Sequence, residues 1–172
     1  MKIGLFYGST TCYTEMVAEK IQTIIGDELL ELNNIKDIPL ASTSDYDLLI
    51  FGISTWDFGE LQEDWEAKWE DIRQLDLTGK CCAIYGMGDQ IGYAEWFQDA
   101  MGMLNDEIKA VGGKIVGEWP NQGYEFTASK ALNNSETHFV GLALDDENQY
   151  DLTDERLAEW LTQVLEAFSN ED

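Results

Sequence analysis

The chain opens with Lys2-Ile3-Gly4-Leu5-Phe6-Tyr7 and runs on through Gly8-Ser9-Thr10-Thr11-Cys12-Tyr13-Thr14-Glu15. The first piece is a short apolar run, the pattern of a buried strand. After Glu15, Val17, Ile21, Ile24 and Ile25 recur at three- and four-residue spacing, the period of a helix. Between them stand a glycine and four hydroxyl side chains, Ser9, Thr10, Thr11 and Thr14. A loop leading from a strand's C-terminal end into a helix presents free backbone N–H groups at the positive end of the helix dipole. That place suits an anion. A single Ser or Thr there reads as a helix cap, but this cluster of hydroxyls favours an anion site.

The same loop limits which anion. It lacks the Gly-Lys-Ser/Thr ending of a nucleoside-triphosphate loop, whose Lys reaches the outer phosphates. It contains no Lys or Arg at all. A single phosphate held by hydroxyls and amides fits it.

Outward from this stretch the pattern repeats. Gly26 stops the first helix, and Leu29-Leu30-Glu31-Leu32 is a short second strand. Leu48-Leu49-Ile50-Phe51-Gly52-Ile53 is a near-continuous apolar strand, as in a parallel sheet covered on both faces. Leu61, Trp65, Trp69 and Ile72 predict a helix, Cys81-Cys82-Ala83-Ile84-Tyr85 a fourth strand, and Phe97, Met101, Leu104, Ile108 and Val111 another helix ending at Gly112-Gly113. Lys114 to Trp119 is a fifth strand, and Phe139 to Leu144 a further one. Leu157, Trp160, Leu161, Val164 and Phe168 mark the last helix, with Thr153, Asp154 and Glu155 at its start. Between Pro120 and His138 there is no helical period, and this stretch reads as a loop inserted in the region of the last strand. Strands alternating with helices predict an α/β doubly wound parallel sheet, residues 1–172 forming a single domain.

The chain has 172 residues, 44% of them hydrophobic, enough for one core. It carries 10 basic against 34 acidic residues, a net charge of −24. That argues against nucleic acid and anionic membrane, which need basic patches, and favours a basic partner met by electrostatic steering. Three cysteines, Cys12, Cys81 and Cys82, show no CxxC spacing, and His138 is the one histidine, so zinc and iron–sulfur sites are not expected. No signal peptide is visible, reduced thiols are the simplest assignment, and the apolar runs are too short to span a bilayer. A cytoplasmic protein is expected.

In an open parallel sheet, ligands sit beyond the carboxyl ends of the strands. The loop after the third strand is Ser54-Thr55-Trp56-Asp57-Phe58-Gly59-Glu60, and the one after the fourth is Gly86-Met87-Gly88-Asp89-Gln90-Ile91-Gly92-Tyr93. Trp56 and Tyr93 lie off the helical core pattern, and two such rings can hold a flat heteroaromatic system. Alone, each would be an ordinary loop aromatic. With an anion loop at the same end of the sheet, they suggest a planar ring joined to a phosphate. Asp57 and Asp89 offer acceptors for ring N–H groups, or serve as turn formers. The Gly86-x-Gly88 piece lacks the third glycine of a dinucleotide fingerprint, since Ile91 stands there. Asp145-Asp146-Glu147 reads as an acidic turn. No Cys–His pair or nucleophile-elbow serine is present, so a bound cofactor has to supply the chemistry.

These residues resemble the flavodoxins of the long-chain type. The resemblance rests on Gly8–Glu15, on Thr55 to Gln62, on Gly86 to Ala94, on Gly123-Tyr124-Glu125-Phe126, on Phe139 to Asp145 and on Leu152 to Arg156, and it spans nearly the whole chain. It implies a flavodoxin-like five-stranded sheet of order 2-1-3-4-5 with helices on both faces, the last strand interrupted by the loop at about 120–138. It also implies non-covalent FMN and one-electron carriage at low potential rather than enzymatic turnover. Ser9, Thr10, Thr11, Cys12, Tyr13 and Thr14 would hold the phosphate, and Trp56 and Tyr93 would flank the ring. Thr55, Asp57, Phe58, Gly59, Gly88, Asp89 and Gln98 match positions near the ring, and Asp145 one near the ribityl chain. The partners implied are a ferredoxin/flavodoxin-NADP reductase and low-potential acceptor enzymes, met by a monomer. Where the family usually has Gly, this chain has Cys12, which suggests a right-handed conformation there or an altered loop. The Asp57–Phe58 peptide is expected to turn when the ring is reduced, at a higher cost with Phe58 than with Gly. Two alternatives are a flavin-dependent NAD(P)H:quinone reductase on the same fold and a receiver-type signalling domain without flavin.

Overall fold

A computed structural model describes residues 2–170. The apolar opening run forms β1 (Ile3–Tyr7), every residue of it buried, and the hydroxyl loop leads into α1 (Tyr13–Ile25). There follow β2 (Leu30–Asn34), β3 (Leu48–Trp56), β4 (Glu60–Leu61), the short helices α2 (Glu63–Ala67) and α3 (Trp69–Ile72), β5 (Cys81–Met87), α4 (Asp99–Ala110), β6 (Lys114–Ile115), β7 (Trp119–Pro120), β8 (His138–Phe139), β9 (Leu142–Leu144) and α5 (Tyr150–Ser169). The main sheet is parallel and runs β2-β1-β3-β5-β6, with β9 also on β5.

The two short strands explain the irregularity after Gly113. β6 pairs with Cys81 and Cys82 at the start of β5, and β9 pairs with Tyr85 to Met87 at its end. They are two halves of one fifth strand, parted by the insertion, so the order 2-1-3-4-5 holds when they are counted together. The Lys114–Trp119 strand expected from the sequence therefore stops early. The chain leaves the sheet at Gly117, where φ is +88 and a Cβ would meet the Trp160 indole at 2.9 Å. Trp119 instead pairs with Phe139 in the small β7–β8 ribbon that closes the base of the insertion.

Successive strand residues point to opposite faces, and this sorts the helices. Tyr85 points to the α1 side, where its phenol meets the Thr14 carbonyl at 2.8 Å. Its neighbour Gly86 faces α4, where a Cβ would press on Gln98 and Met101. α1 and α5 pack together. Helices thus cover both faces, and the core between them holds Trp65, Trp160, Tyr85, Phe6 and Phe51, all 2% exposed or less. No helix among the described residues is long and apolar enough to cross a membrane.

Three local expectations are corrected. Leu61 belongs to strand β4, and the helix expected from Leu61 to Ile72 begins after Gln62 and breaks at Lys68. Ile24 is exposed, on the outer side of α1, although it follows the helical period. α5 starts at Tyr150, one turn before Thr153, because Thr153 is buried and its hydroxyl bonds the Asp146 carboxylate rather than capping the helix.

Candidate functional site

The C-terminal ends of β1, β3, β5 and β9 open into a cleft of about 240 Å³. Its walls are Thr11, Tyr13, Thr14, Ser54, Thr55, Trp56, Asp57, Met87, Gly88, Asp89, Tyr93, Asp146 and Glu147.

The hydroxyl loop forms one end. Ser9 Oγ accepts from the Glu15 amide at 3.4 Å, and Thr10 Oγ1 accepts from Gln62 Nε2 at 3.1 Å. Gln62 is fully buried and caps α2 through the Asp64 and Trp65 amides, so it ties the loop to the opposite layer. The backbone amides of Thr10 to Thr14 meet no acceptor within the described chain. Cys12 closes the loop with φ 70 and ψ −6, its thiol exposed and making no cap bond. The right-handed alternative for Cys12 is thus overturned. The loop keeps a left-handed residue at this point because the chain must reverse into α1 there, and an L side chain bears the strain.

The hairpin β3–β4 forms one side. Thr55 pairs with Leu61 and Trp56 with Glu60, leaving Asp57, Phe58 and Gly59 at the tip, with φ 44 at Asp57 and 85 at Gly59. The Trp56 indole N–H donates to Ser54 Oγ at 2.9 Å, which holds the ring's rotamer. Thr55 Oγ1 accepts from the Ala100 amide at 3.0 Å, pinning the hairpin to the first turn of α4. Phe58 is 68% exposed and packs edge-on against Trp96, ring centroids 5.0 Å apart.

The loop after β5 forms the other side and carries Tyr93, 39% exposed. Asp89 Oδ1 accepts from the amides of Ile91 at 3.1 Å and Gly92 at 2.7 Å and from Asn148 Nδ2 at 2.8 Å. Asp89 is on the cleft wall, and this oxygen acts as a turn former.

Two sequence-derived candidates lie behind the wall. Gln98 is fully buried with φ 63, and its Nε2 donates to the carbonyls of Gly86 and Leu144 at 3.1 and 3.0 Å. It clamps β5 to β9 instead of facing the cleft. Asp145 is fully buried too. Its Oδ1 accepts from the Glu147 and Asn148 amides, and its Oδ2 from Gln90 N, Gln90 Nε2 and Asn148 Nδ2, all between 2.8 and 3.1 Å. Ser9, Thr10, Cys12, Phe58 and Gly59 border the cleft without being among its wall residues. The sequence reading missed Ser54, Met87, Asp146 and Glu147 as wall residues. Ser54 and Met87 were legible as strand ends beside quoted loops, whereas Gln62 reaches Thr10 across 52 residues with no local signal.

Among the described residues no cationic side chain lines the cleft, whereas Asp57, Asp89, Asp146 and Glu147 do. Burial pushes the Asp146 carboxyl above its usual range. Just below the loop, burial and then the neighbouring Glu15 carboxylate push the Tyr7 phenol up to about 12. The donor set of amides and hydroxyls suits a phosphomonoester, and the two rings suit a flat heterocycle. Together the residues fit a flavin mononucleotide.

Known proteins point the same way. The flavodoxin family model matches residues 5–160. Flavodoxin 2 of Salmonella typhi is 59% identical over 165 residues, 96% of this chain and 95% of that one. The flavodoxin of a Nostoc species is 48% identical over 167 residues, 97% of each chain. The crystal structure of Fusobacterium nucleatum flavodoxin bound to flavin mononucleotide superposes with a TM-score of 0.91 over 96% of this chain and 98% of that chain, at 29% identity. Strand order, hydroxyl loop, paired loop aromatics and sequence identity along nearly the full length therefore agree, and the chain belongs to the flavodoxin family.

Proposed function

We infer that this chain is a one-electron carrier that binds FMN without a covalent bond and passes electrons between a reductase and acceptor proteins. The observation that carries this is the cleft itself, with cation-free phosphate donors at one end and Trp56 and Tyr93 along its sides. Ser9 to Thr14 would hold the phosphate through amides and hydroxyls. Trp56 and Tyr93 would flank the ring, and Thr55, Asp57, Phe58, Gly59, Gly88 and Asp89 would lie near its polar edge. When bound, FMN supplies the redox chemistry, accepting and returning electrons singly.

The protein's own part is positioning and tuning. Its acidic walls disfavour added negative charge on the ring and so lower the potential, about 60 mV for each 1.4 kcal/mol of disfavour in a one-electron step. The same charge attracts basic partners and is screened by salt. We read those partners as a ferredoxin/flavodoxin-NADP reductase and low-potential acceptor enzymes in the cytoplasm, met by a monomer. Residues 1–172 act as one FMN-binding domain, with 120–138 as its insertion. A quinone reductase on this fold needs open space over one face of the ring, and here both sides of the cleft carry an aromatic wall.

Stepwise reduction of the FMN-loaded protein followed by absorbance tests the reading. Two separated one-electron stages are expected, with no steady NADPH oxidation by the protein alone. A folded protein that stays colourless after incubation with FMN overturns it.

A further inference from the structure

We propose that Gln62 is a positioning residue for the phosphate end of the cleft, fixing Thr10 from beneath and with it the loop amides that take the phosphate. This rests on the reading of Ser9 to Thr14 as the FMN phosphate site.

Gln62 stands between β4 and α2 and is fully buried, whereas Thr10 is exposed. Its side-chain Oε1 accepts from the Asp64 and Trp65 amides at 3.2 and 3.3 Å, and its Nε2 donates to Asp64 Oδ2 at 2.9 Å and to Thr10 Oγ1 at 3.1 Å. An amide has two acceptor positions and two donor hydrogens, so each is used. Turning the group over would set its oxygen against the Asp64 carboxylate and its nitrogen against two N–H groups, so its direction is fixed. Gln62 must therefore donate to Thr10, and the Thr10 hydroxyl hydrogen stays free for another acceptor. The start of the loop makes room for this. Gly8 is not left-handed, yet a Cβ on it would lie 2.3 Å from Gln62 Oε1. The Gly52 carbonyl accepts both the Gly8 amide at 3.4 Å and the Trp65 indole N–H at 2.9 Å, so the loop and the head of α2 are fixed to one point.

The loop has only neutral donors with which to hold a phosphate. A cation attracts from any direction, whereas amide and hydroxyl donors weaken steeply when they point off line. Aiming several of them at once is costly for a free chain, and a loop ordered before the ligand arrives does not bear that cost at binding. Gln62 supplies such order at Thr10. The ring wall is held by other means: Thr55 and Trp56 pair with β4, and Thr55 Oγ1 accepts from the Ala100 amide. Loss of the Gln62 contact is therefore felt at the phosphate and not at the ring.

The test compares FMN with riboflavin, which has the same ring and no phosphate, by fluorescence titration of the parent, Gln62→Asn, Thr10→Val and the pair. Asn is a favoured helix cap, so Gln62→Asn keeps an acceptor for the α2 amides while falling one methylene short of Thr10. It is expected to weaken FMN binding about tenfold, to leave riboflavin binding unchanged and to add little in the Thr10→Val background. Equal losses for the two flavins, an unchanged FMN affinity, or a loss that adds fully to that of Thr10→Val overturns the proposal. A role confined to capping α2 would not separate the two flavins. If Gln62→Asn does not fold, Gln62→Met, which is as long and carries no N–H, replaces it under the same outcomes. A parent protein that binds no FMN sinks the electron-carrier reading instead, so the two failures are distinct.

Discussion

The Tyr85 phenol, in the middle of the sheet, donates to the Thr14 carbonyl in the first turn of α1 at 2.8 Å. It can do so because Gly52 on the neighbouring strand leaves room: a Cβ there would lie 2.3 Å from the Tyr85 ring carbon Cζ and from its hydroxyl. The central strands thus set the height of the helix end that adjoins the hydroxyl loop. Tyr85→Phe is expected to lower the unfolding free energy of the FMN-free protein by about 1 kcal/mol, the worth of one buried hydrogen bond. Gly52→Ala should cost about 2 kcal/mol or more by overpacking. Urea unfolding of both variants checks the order, and an Ala no worse than the Phe would mean that the strand shifts freely.

Cys12 adopts a left-handed conformation with an exposed side chain that caps nothing. Cys12→Gly should therefore stabilise the FMN-free protein by about 0.5 kcal/mol, strain relief outweighing the added chain entropy. FMN affinity should hardly change, because the loop has this turn without ligand. Cys12→Val should lose about 1–2 kcal/mol, since a β-branched residue fits that region poorly. Thermal unfolding and fluorescence titration measure the two effects. Weaker FMN binding in Cys12→Gly would show that the thiol itself contributes.

Phe58 sits at the hairpin tip between two residues of positive φ, leaning on Trp96. Turning the Asp57–Phe58 peptide costs more with this side chain than with glycine. Phe58→Gly is expected to raise the first one-electron midpoint by about 40–60 mV, the equivalent of about 1 kcal/mol. Spectroelectrochemical titration decides it, and unchanged potentials would remove peptide rotation from the account.

Asp99, the first residue of α4, is buried, and burial raises its carboxyl above the usual range even though the Lys130 amide donates to it at 2.8 Å. The folded state therefore holds this proton more tightly than the unfolded chain does. Its contribution is greatest below the ordinary carboxylate range and is lost as pH rises through the folded-state value. Asp99→Asn keeps an acceptor for the Lys130 amide without the charge. The variant should match the parent near pH 4 and gain on it as pH rises toward neutrality, measured by urea midpoints across that range. A constant difference at every pH would show that Asp99 does not titrate in this window.

The order of strands and helices was legible because each buried element carries its own period. β1, most of β3 and β5 are near-continuous apolar runs, and α1, α4 and α5 repeat at three to four residues. The hydroxyl loop, Trp56 and Tyr93 were legible for a related reason. Residues at the carboxyl ends of parallel strands must face one crevice, whatever else the chain does.

What the sequence alone determined is thus the set of elements, the crevice they share and the loops that line it, because these follow from local periodicity and chain direction. Only the tertiary structure decided which polar groups turn inward to hold those loops. Gln98 follows the Tyr93 loop and Asp145 precedes the wall residue Asp146, yet they bond β5 to β9 and the Tyr93 loop to the chain after β9. Gln62 and Gln90 reach partners 52 and 35 residues away. A buried amide or carboxylate takes whichever donors the packed layers bring within about 3 Å, and no short stretch of sequence encodes that distance.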